Sequence, residues 1–255
     1  MIKFIAAWDM HWGYERKGGH KVALHDPKAI SAMLKFAADF KPDTFILGGD
    51  IMDCGAISHH NHGKPGATEG LRLLGDMQEC AAEVIKPIEA MKPKQLVYIK
   101  GNHEAWLDQL VEQQPTLEGI ISLEKLLSLQ KWKVVPQGGL FDLGKLTFLH
   151  GDTVSGGEHV AKAAVINYER SVRFGHMHTH QIYTKNSPID YKNAKTGMAV
   201  GCLCKKSPGY GKGKPNKWQQ GFLMGYVQPG GFFNDFHVNI IDGAFTSPAG
   251  KVYKG

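Results

Sequence analysis

Five short apolar runs in this chain each end on residues that bind metals or move protons. The segments are FIAAWDMH at 4–11, FILGGDIMD at 45–53, LVYIKGNHE at 96–104, LTFLHGD at 146–152 and VRFGHMH at 172–178. A brief apolar run that stops at glycine or at a polar pair reads as a buried strand, because a helix needs a longer stretch at 3.6-residue periodicity. In an open α/β sheet the carboxyl ends of the strands form the edge where ligands bind. Five segments far apart in sequence would therefore deliver carboxylates, an amide and imidazoles to one place, and no feature of the composition constrains the fold as strongly.

The stretches between them support an alternating chain. Asp26-Pro27 supplies an N-cap and a proline for a first helical turn, and Ala29, Ile30, Met33, Leu34 and Ala37 follow at helical spacing. A strand over 44–47, a long helix over 68–90 and a third strand over 96–99 complete an opening that predicts parallel pairing. After Trp132 the runs 133–135, 146–149, 172–174, 197–200, 222–227 and 236–240 predict a strand-rich second half, with a helix over 160–168. No linker-like stretch divides the 255 residues, so a single domain over 1–255 is expected. No apolar stretch approaches the roughly 20 residues that span a bilayer, so no membrane association is expected. Acidic and histidine residues follow the apolar start at once, where a signal peptide would carry small residues, which predicts a first strand and a cytoplasmic protein. Cysteines at 54, 80, 202 and 204 read as reduced, buried thiols and not as a disulfide framework. The net charge of +6 is carried by lysine, since arginine stands only at 16, 72, 170 and 173, and it favours a polyanionic partner.

The ordered blocks D-x-H, G-D-x-x-D, G-N-H-E, H-G-D and G-H-x-H run unbroken from Asp9 to His178. They resemble the calcineurin-like metallophosphoesterases, a family of binuclear-metal hydrolases, and the later segments GCLC and PNKWQQGF are similar to phage and bacterial members. The resemblance implies an α/β fold, an αββα sandwich of mixed sheets flanked by helices. It also implies two divalent metal ions bridged by Asp50, with Asp9, His11 and His178 completing one site and Asn102, His150 and His176 the other. His180 falls outside the motif and is expected behind the ligands or in solvent. A mixed imidazole, carboxylate and amide shell favours Mn²⁺, with Fe, Zn or Ni as alternatives.

Two dications roughly 3.5–4 Å apart can generate a bridging hydroxide, neutralise phosphoryl oxygens and hold an in-line geometry. Asp9, Asp50 and that hydroxide cancel three of their four positive charges, which leaves a net attraction for phosphate. By the same resemblance His103 is the acid that helps the leaving oxygen depart, a role suited to an unperturbed pKa of roughly 6.5. Asp53 either orients that imidazole or caps a helix start.

Protein phosphatases of this family follow G-D-x-x-D with Arg-Gly and place another arginine soon after G-N-H-E, because forked N–H donors grip the dianion of a monoester. Here Cys54-Gly55 and Ala105-Trp106-Leu107 stand in those places. The expected activity is therefore that of a phosphodiesterase or nuclease, with a phosphomonoesterase and a non-catalytic binding module as alternatives. Basic, aromatic loops supply the expected substrate contacts: Trp12 and Tyr14, His60 and Lys64, and Lys212, Lys214 and Lys217. Aromatic faces for bases beside lysines for phosphates suit nucleic acid or a nucleotide. No obligate protein partner is expected.

Overall fold

Side chains of β1 (Ile2–Ala7) alternate between two apolar environments, and that alternation sets the layers. Ile5 and Ala7 face a cluster built with helices, whereas Phe4 and Ala6 face a cluster that lies between two sheets. The computed structural model describes residues 1–155, 157–208 and 214–255. After β1 comes a hairpin of β2 (Tyr14–Lys17) and β3 (His20–Ala23), then helix α1 (Pro27–Phe40) and β4 (Thr44–Leu47). The short α2 (Pro65–Thr68) precedes α3 (Leu73–Cys80), which continues through a π-turn at Ala81–Ile85 into α4 (Lys86–Ala90). Strand β5 (Gln95–Ile99) leads into α5 (Asn102–Gln113), followed by α6 (Leu123–Leu126), β6 (Lys133–Val135), β7 (Phe141–Leu143) and β8 (Leu146–Phe148). Helix α7 (Val160–Tyr168) then precedes β9 (Ser171–Phe174), β10 (Gln181–Lys185) and β11 (Lys195–Ala199). The chain finishes with β12 (Gln220–Val227), β13 (Phe233–Ile240), β14 (Ala244–Thr246) and β15 (Val252–Lys254).

One sheet runs β13-β12-β1-β4-β5-β6 and the other β10-β11-β9-β8-β7. Strands β1, β4, β5 and β6 are parallel, as the strand–helix alternation predicts, and β12 joins β1 antiparallel. Between the sheets Phe148 meets the rings of Phe4 and Trp8 at 5.5 and 6.3 Å. Helices α1 and α3 pack on the outer face of the first sheet, and Val160 and Ala164 of α7 cover Val172 and Phe174 of the second. The architecture is the αββα sandwich. Because β1, β4 and β5 are buried on both faces, they read as continuous apolar runs without polar alternation.

Local signals account for the boundaries. Asp26 accepts hydrogen bonds from the N–H groups of Lys28 at 3.0 Å and Ala29 at 3.3 Å, and so fixes the start of α1 at Pro27. The predicted helix over 68–90 starts later, at Leu73, because Glu69 and Gly70 turn the chain between α2 and α3. Strands β2, β3, β7, β10, β14 and β15 are short or half-exposed and leave little periodic signal. No described helix is long and apolar enough to cross a membrane.

Candidate metal centre

The strand ends meet. Asp9 and His11 follow β1, Asp50 and Asp53 follow β4, Asn102 and His103 open α5, His150 follows β8, and His176 and His178 follow β9. The first two turns are locked side by side, with Asp9 N–H donating to Gly49 O at 3.0 Å and His11 N–H to Asp50 O at 2.9 Å. Asp9, His11, Asp50, His176 and His178 all adopt left-handed backbone conformations, with φ of 52°, 47°, 50°, 65° and 55°. Such conformations cost on the order of 1–3 kcal/mol each at a non-glycine residue and persist only where the surroundings over-determine them. Strain is thus concentrated on five of the seven positions expected to ligate metal. Gly101 leaves space that no other residue could: a Cβ there would lie 2.2 Å from Asp50 Oδ1.

Two side-chain clusters share Asp50. The ligand atoms of Asp9, His11 and Asp50 lie within 4.8 Å of one another, as do those of Asp50, His150 and His176. His178 Nε2 joins the first cluster, 3.2 Å from His11 Nε2 and 3.4 Å from Asp9 Oδ1. Asn102 Oδ1 joins the second, 3.1 Å from His150 Nε2, which is itself 3.3 Å from Asp50 Oδ2. All seven expected ligand positions are therefore brought together. Asp9 is fully buried, and while its Oδ2 accepts from His176 N–H at 2.8 Å, its Oδ1, 3.4 Å from His178 Nε2, has no hydrogen-bond partner among the described residues. A buried carboxylate oxygen without a donor is costly unless a cation meets it. The donor set of imidazole, carboxylate and amide fits a divalent ion.

The electrostatics point the same way. Burial opposes charge on His11, yet its hydrogen bond to Asp53 and the nearby Asp50 carboxylate push it up to about 9. Burial likewise opposes charge on His150, and Asp50 pushes it up to about 10. Asp50 is held well below the usual carboxylate range in spite of its burial, by His150 and His103. The cluster demands positive charge, and without another cation it takes that charge as protons.

Asp53 and His103 meet differently from the expectation. His103 Nδ1 donates to the backbone carbonyl of Asp53 at 2.7 Å, while the carboxylate of Asp53 lies 3.7 Å from the same nitrogen. That carboxylate turns instead to His11, with Oδ1 3.2 Å from Nδ1. It therefore fixes the tautomer of His11 and leaves Nε2 free to face the cluster. The Trp106 ring packs 4.2 Å from that of His103, centroid to centroid. Trp106 was not singled out in the sequence, although its i+3 spacing from His103 on α5 is a signal that a helical reading supplies. Glu104, the acid of the G-N-H-E block, is fully buried and accepts from the N–H groups of Asp50, Met52 and Gly101 at 3.0, 2.9 and 2.8 Å. One carboxylate thereby pins the Asp50 turn to the start of α5. Cys204 Sγ lies 4.0 Å from His178 Nδ1, and burial pushes its thiol up, so it stands behind that imidazole as a neutral group. All four cysteines are buried and unpaired.

The expected substrate contacts divide. Trp12 is 5% exposed, stacks on His25 at 3.9 Å and donates to Glu79, so its ring is core and not a platform for a base. Tyr14 and His60 line a cleft of about 720 Å³ whose floor includes Asp53 and His103. Lys64 is exposed and donates to the His60 carbonyl at 2.8 Å. Lys217 pairs with Glu158 at 2.6 Å, both in solvent, and Lys214 is exposed. Lys212 lies outside the described residues. His180 stands apart from the ligand clusters, stacked on His237 at 3.9 Å.

The family comparison is consistent with this arrangement of residues. The profile of the calcineurin-like phosphoesterase family matches residues 5–208, most of the chain. The chain belongs to the calcineurin-like phosphoesterases. It is 27% identical over 219 residues to the gene 54 protein of Mycobacterium phage L5, a match that covers 80% of this chain and 84% of that protein. Among solved structures it is similar to Vps29 of Chaetomium thermophilum, with a TM-score of 0.43 and 11% identity over 100% of this chain and 96% of the other. Phosphoesterases of this family are metal-dependent, and the buried His/Asp cluster at the strand ends is where this member would hold its ions.

Proposed function

We propose that this phosphoesterase is a binuclear metal-dependent phosphodiesterase that cleaves phosphodiester bonds of nucleic acid or nucleotides, with Mn²⁺ as the activating ion. The observation that carries the reading is the pair of clusters joined at Asp50 beside His103, with no arginine fork directed at them. Each arginine is engaged elsewhere: Arg16 with Glu69 and Gly19 carbonyls, Arg72 with Leu71, Arg170 with Asp142 and Arg173 with Asp235. A diester carries one negative charge and needs no such fork, whereas a monoester dianion does.

Asp9, His11, Asp50 and His178 would hold one ion and Asp50, Asn102, His150 and His176 the other. Bound there, divalent ions activate water and offset phosphoryl charge. The chain's own contribution is positional. The Asp53 carbonyl keeps the His103 Nδ1 proton, so Nε2 presents the second proton toward the cluster, 3.9 Å from Asp50 Oδ2. Water oxygen adds to phosphorus and gives up one proton to solvent, the ester P–O bond breaks, His103 Nε2–H gives its proton to the departing alkoxide, and solvent returns a proton to His103. With added Mn²⁺, bis-p-nitrophenyl phosphate is expected to turn over faster than p-nitrophenyl phosphate. The reverse order would assign a monoesterase, and no turnover of either with metal bound would assign a binding module.

Metal uptake should also expel protons. At pH 7 the metal-free His11 and His150, raised to about 9 and about 10, both carry a proton that a metal ligand must lose. About two protons should leave per protein at pH 7, so apparent affinity rises with pH and the release fades above pH 10. Calorimetric titration of metal-free protein with Mn²⁺ in buffers of different ionisation enthalpy reads this directly, and a buffer-independent heat would contradict it.

A further inference from the structure

The geometry points to the cleft beside His103 as the pocket for the leaving group, and to a nucleoside as the group it takes. The inference rests on the phosphodiesterase reading and deepens it. An acid serves the oxygen that departs, so the leaving group must lie on the side of the cluster that His103 occupies. His103, Asp53 and Trp106 form the floor of the cleft there. The cleft measures about 720 Å³, within the range of roughly 300–1,000 Å³ typical of small-ligand pockets and several times what a phosphoryl group fills.

Its walls are built and braced. Tyr14 and Arg16 of the β2–β3 hairpin line it together with Asn61, Ala67 and Leu71 of the segment after β4. Arg16 ties the hairpin to the turn before α3, with Nη1 donating to Glu69 O and Nη2 to Gly19 O, both at 3.1 Å. The hairpin is held to α3 by Tyr14 Oη, which donates to Glu79 at 2.6 Å, and by Lys21, which is 3.3 Å from Asp76. A pocket whose hairpin is tied to both the Glu69 turn and α3 holds its volume before any ligand arrives. Leu24, Leu71 and Trp106 are mostly buried and line the cleft with apolar edges. Ser58, whose Oγ accepts from His60 N–H, and Asn61, whose Nδ2 donates to Gly55 O at 3.0 Å, keep an O–H and an amide oxygen for the polar edge of a base. Lys17, which lines the cleft beside Glu15, brings a positive charge for the next phosphate of a strand, whereas Arg16 is held by Glu69. That combination suits the next nucleoside of a nucleic-acid strand and exceeds what a simple alkyl ester needs.

The test compares thymidylyl-thymidine with methyl p-nitrophenyl phosphate, both with Mn²⁺, in the wild-type chain and in Ala67→Trp. The bulky indole should raise KM for the dinucleotide at least about tenfold more than for the small diester, the scale on which pocket sterics discriminate. Thymidine should inhibit wild-type turnover of the small diester competitively and do so more weakly in the variant. Asn61→Ala adds no bulk, should shift the same ratio in the same direction, and serves if Ala67→Trp does not fold. Equal changes on both substrates, or no change in their ratio, would overturn the assignment of the cleft. Wild-type hydrolysis of the small diester but not of the dinucleotide would also overturn it while leaving the phosphodiesterase reading intact. Absence of diester turnover altogether would overturn both.

Discussion

Asp50→Asn is expected to bind fewer than two metal ions and to lose more activity than the roughly 10–100-fold that removal of a partner behind a metal ligand costs. Asp50 is the one carboxylate common to both clusters, so its loss weakens both ions at once. The substitution is close to isosteric. An asparagine carbonyl can still accept the His103 N–H that Asp50 Oδ1 accepts at 2.9 Å, so the turn survives and only the charge is removed. His103→Ala supplies the contrast, because the proposed role of His103 is in the transition state and not in the ligand shell. It should retain two metals and lose kcat by on the order of 10²–10⁴. The loss should be smaller with a nitrophenolate leaving group, which needs no proton. Metal content by elemental analysis, set beside kcat for each variant, separates the two roles. Two ions retained in Asp50→Asn would remove it as the bridge, and metal lost in His103→Ala would make that residue a ligand.

Asp235→Ala should destabilise the protein by about 3–5 kcal/mol, the scale of leaving a buried charge unpaired. Arg173 on β9 is 1% exposed and reaches across to β13, where Nη2 meets Asp235 Oδ1 at 3.0 Å and Nε meets Oδ2. The guanidinium is otherwise satisfied by Thr196 Oγ1 at 2.9 Å and by the carbonyls of Thr196 and Val172 at 2.8 and 2.9 Å. Without Asp235 those neutral groups leave its charge uncompensated. Replacing both partners, as Arg173→Met with Asp235→Leu, should recover most of the loss, since a packed apolar pair forgoes the desolvation cost. Urea unfolding of metal-free protein measures both. A single-variant loss under about 1 kcal/mol would mean that the pair behaves as a surface bridge. Arg173 stands three residues before His176, so the pair also anchors the strand that leads to two of the expected ligands.

Trp12 and Tyr14 show where reading the chain stops. Both follow His11 in a basic, aromatic stretch, and one-dimensional spacing makes them equivalent. In the fold Trp12 is buried against His25, whereas Tyr14 lines the cleft. Their separation depends on α3, which brings Glu79 to both from more than sixty residues away. Asp53 is similar: its place in G-D-x-x-D marks it as a partner for an imidazole, but which imidazole depends on a φ of 52° at Cys54 and on how the turns after β1 and β4 lie together. Arg173 carried no functional signal in the sequence, because its partner Asp235 is a single acid on an edge strand.

What the sequence determined by itself was the kind and order of the site's chemistry and the strands that carry it. Doubly buried strands must be continuously apolar, and a change to Asp, His or Asn at their ends is visible without coordinates. Ligand types at those ends are set by coordination chemistry, which leaves few substitutes and so makes the motifs legible. What only the tertiary structure decided was pairing: Asp53 with His11, Glu104 with the Asp50 turn, Arg173 with Asp235, and the hairpin with the wall of the cleft. Such pairs form between residues distant in the chain, within a few ångströms of one another, and no local periodicity encodes a distance across two packed sheets.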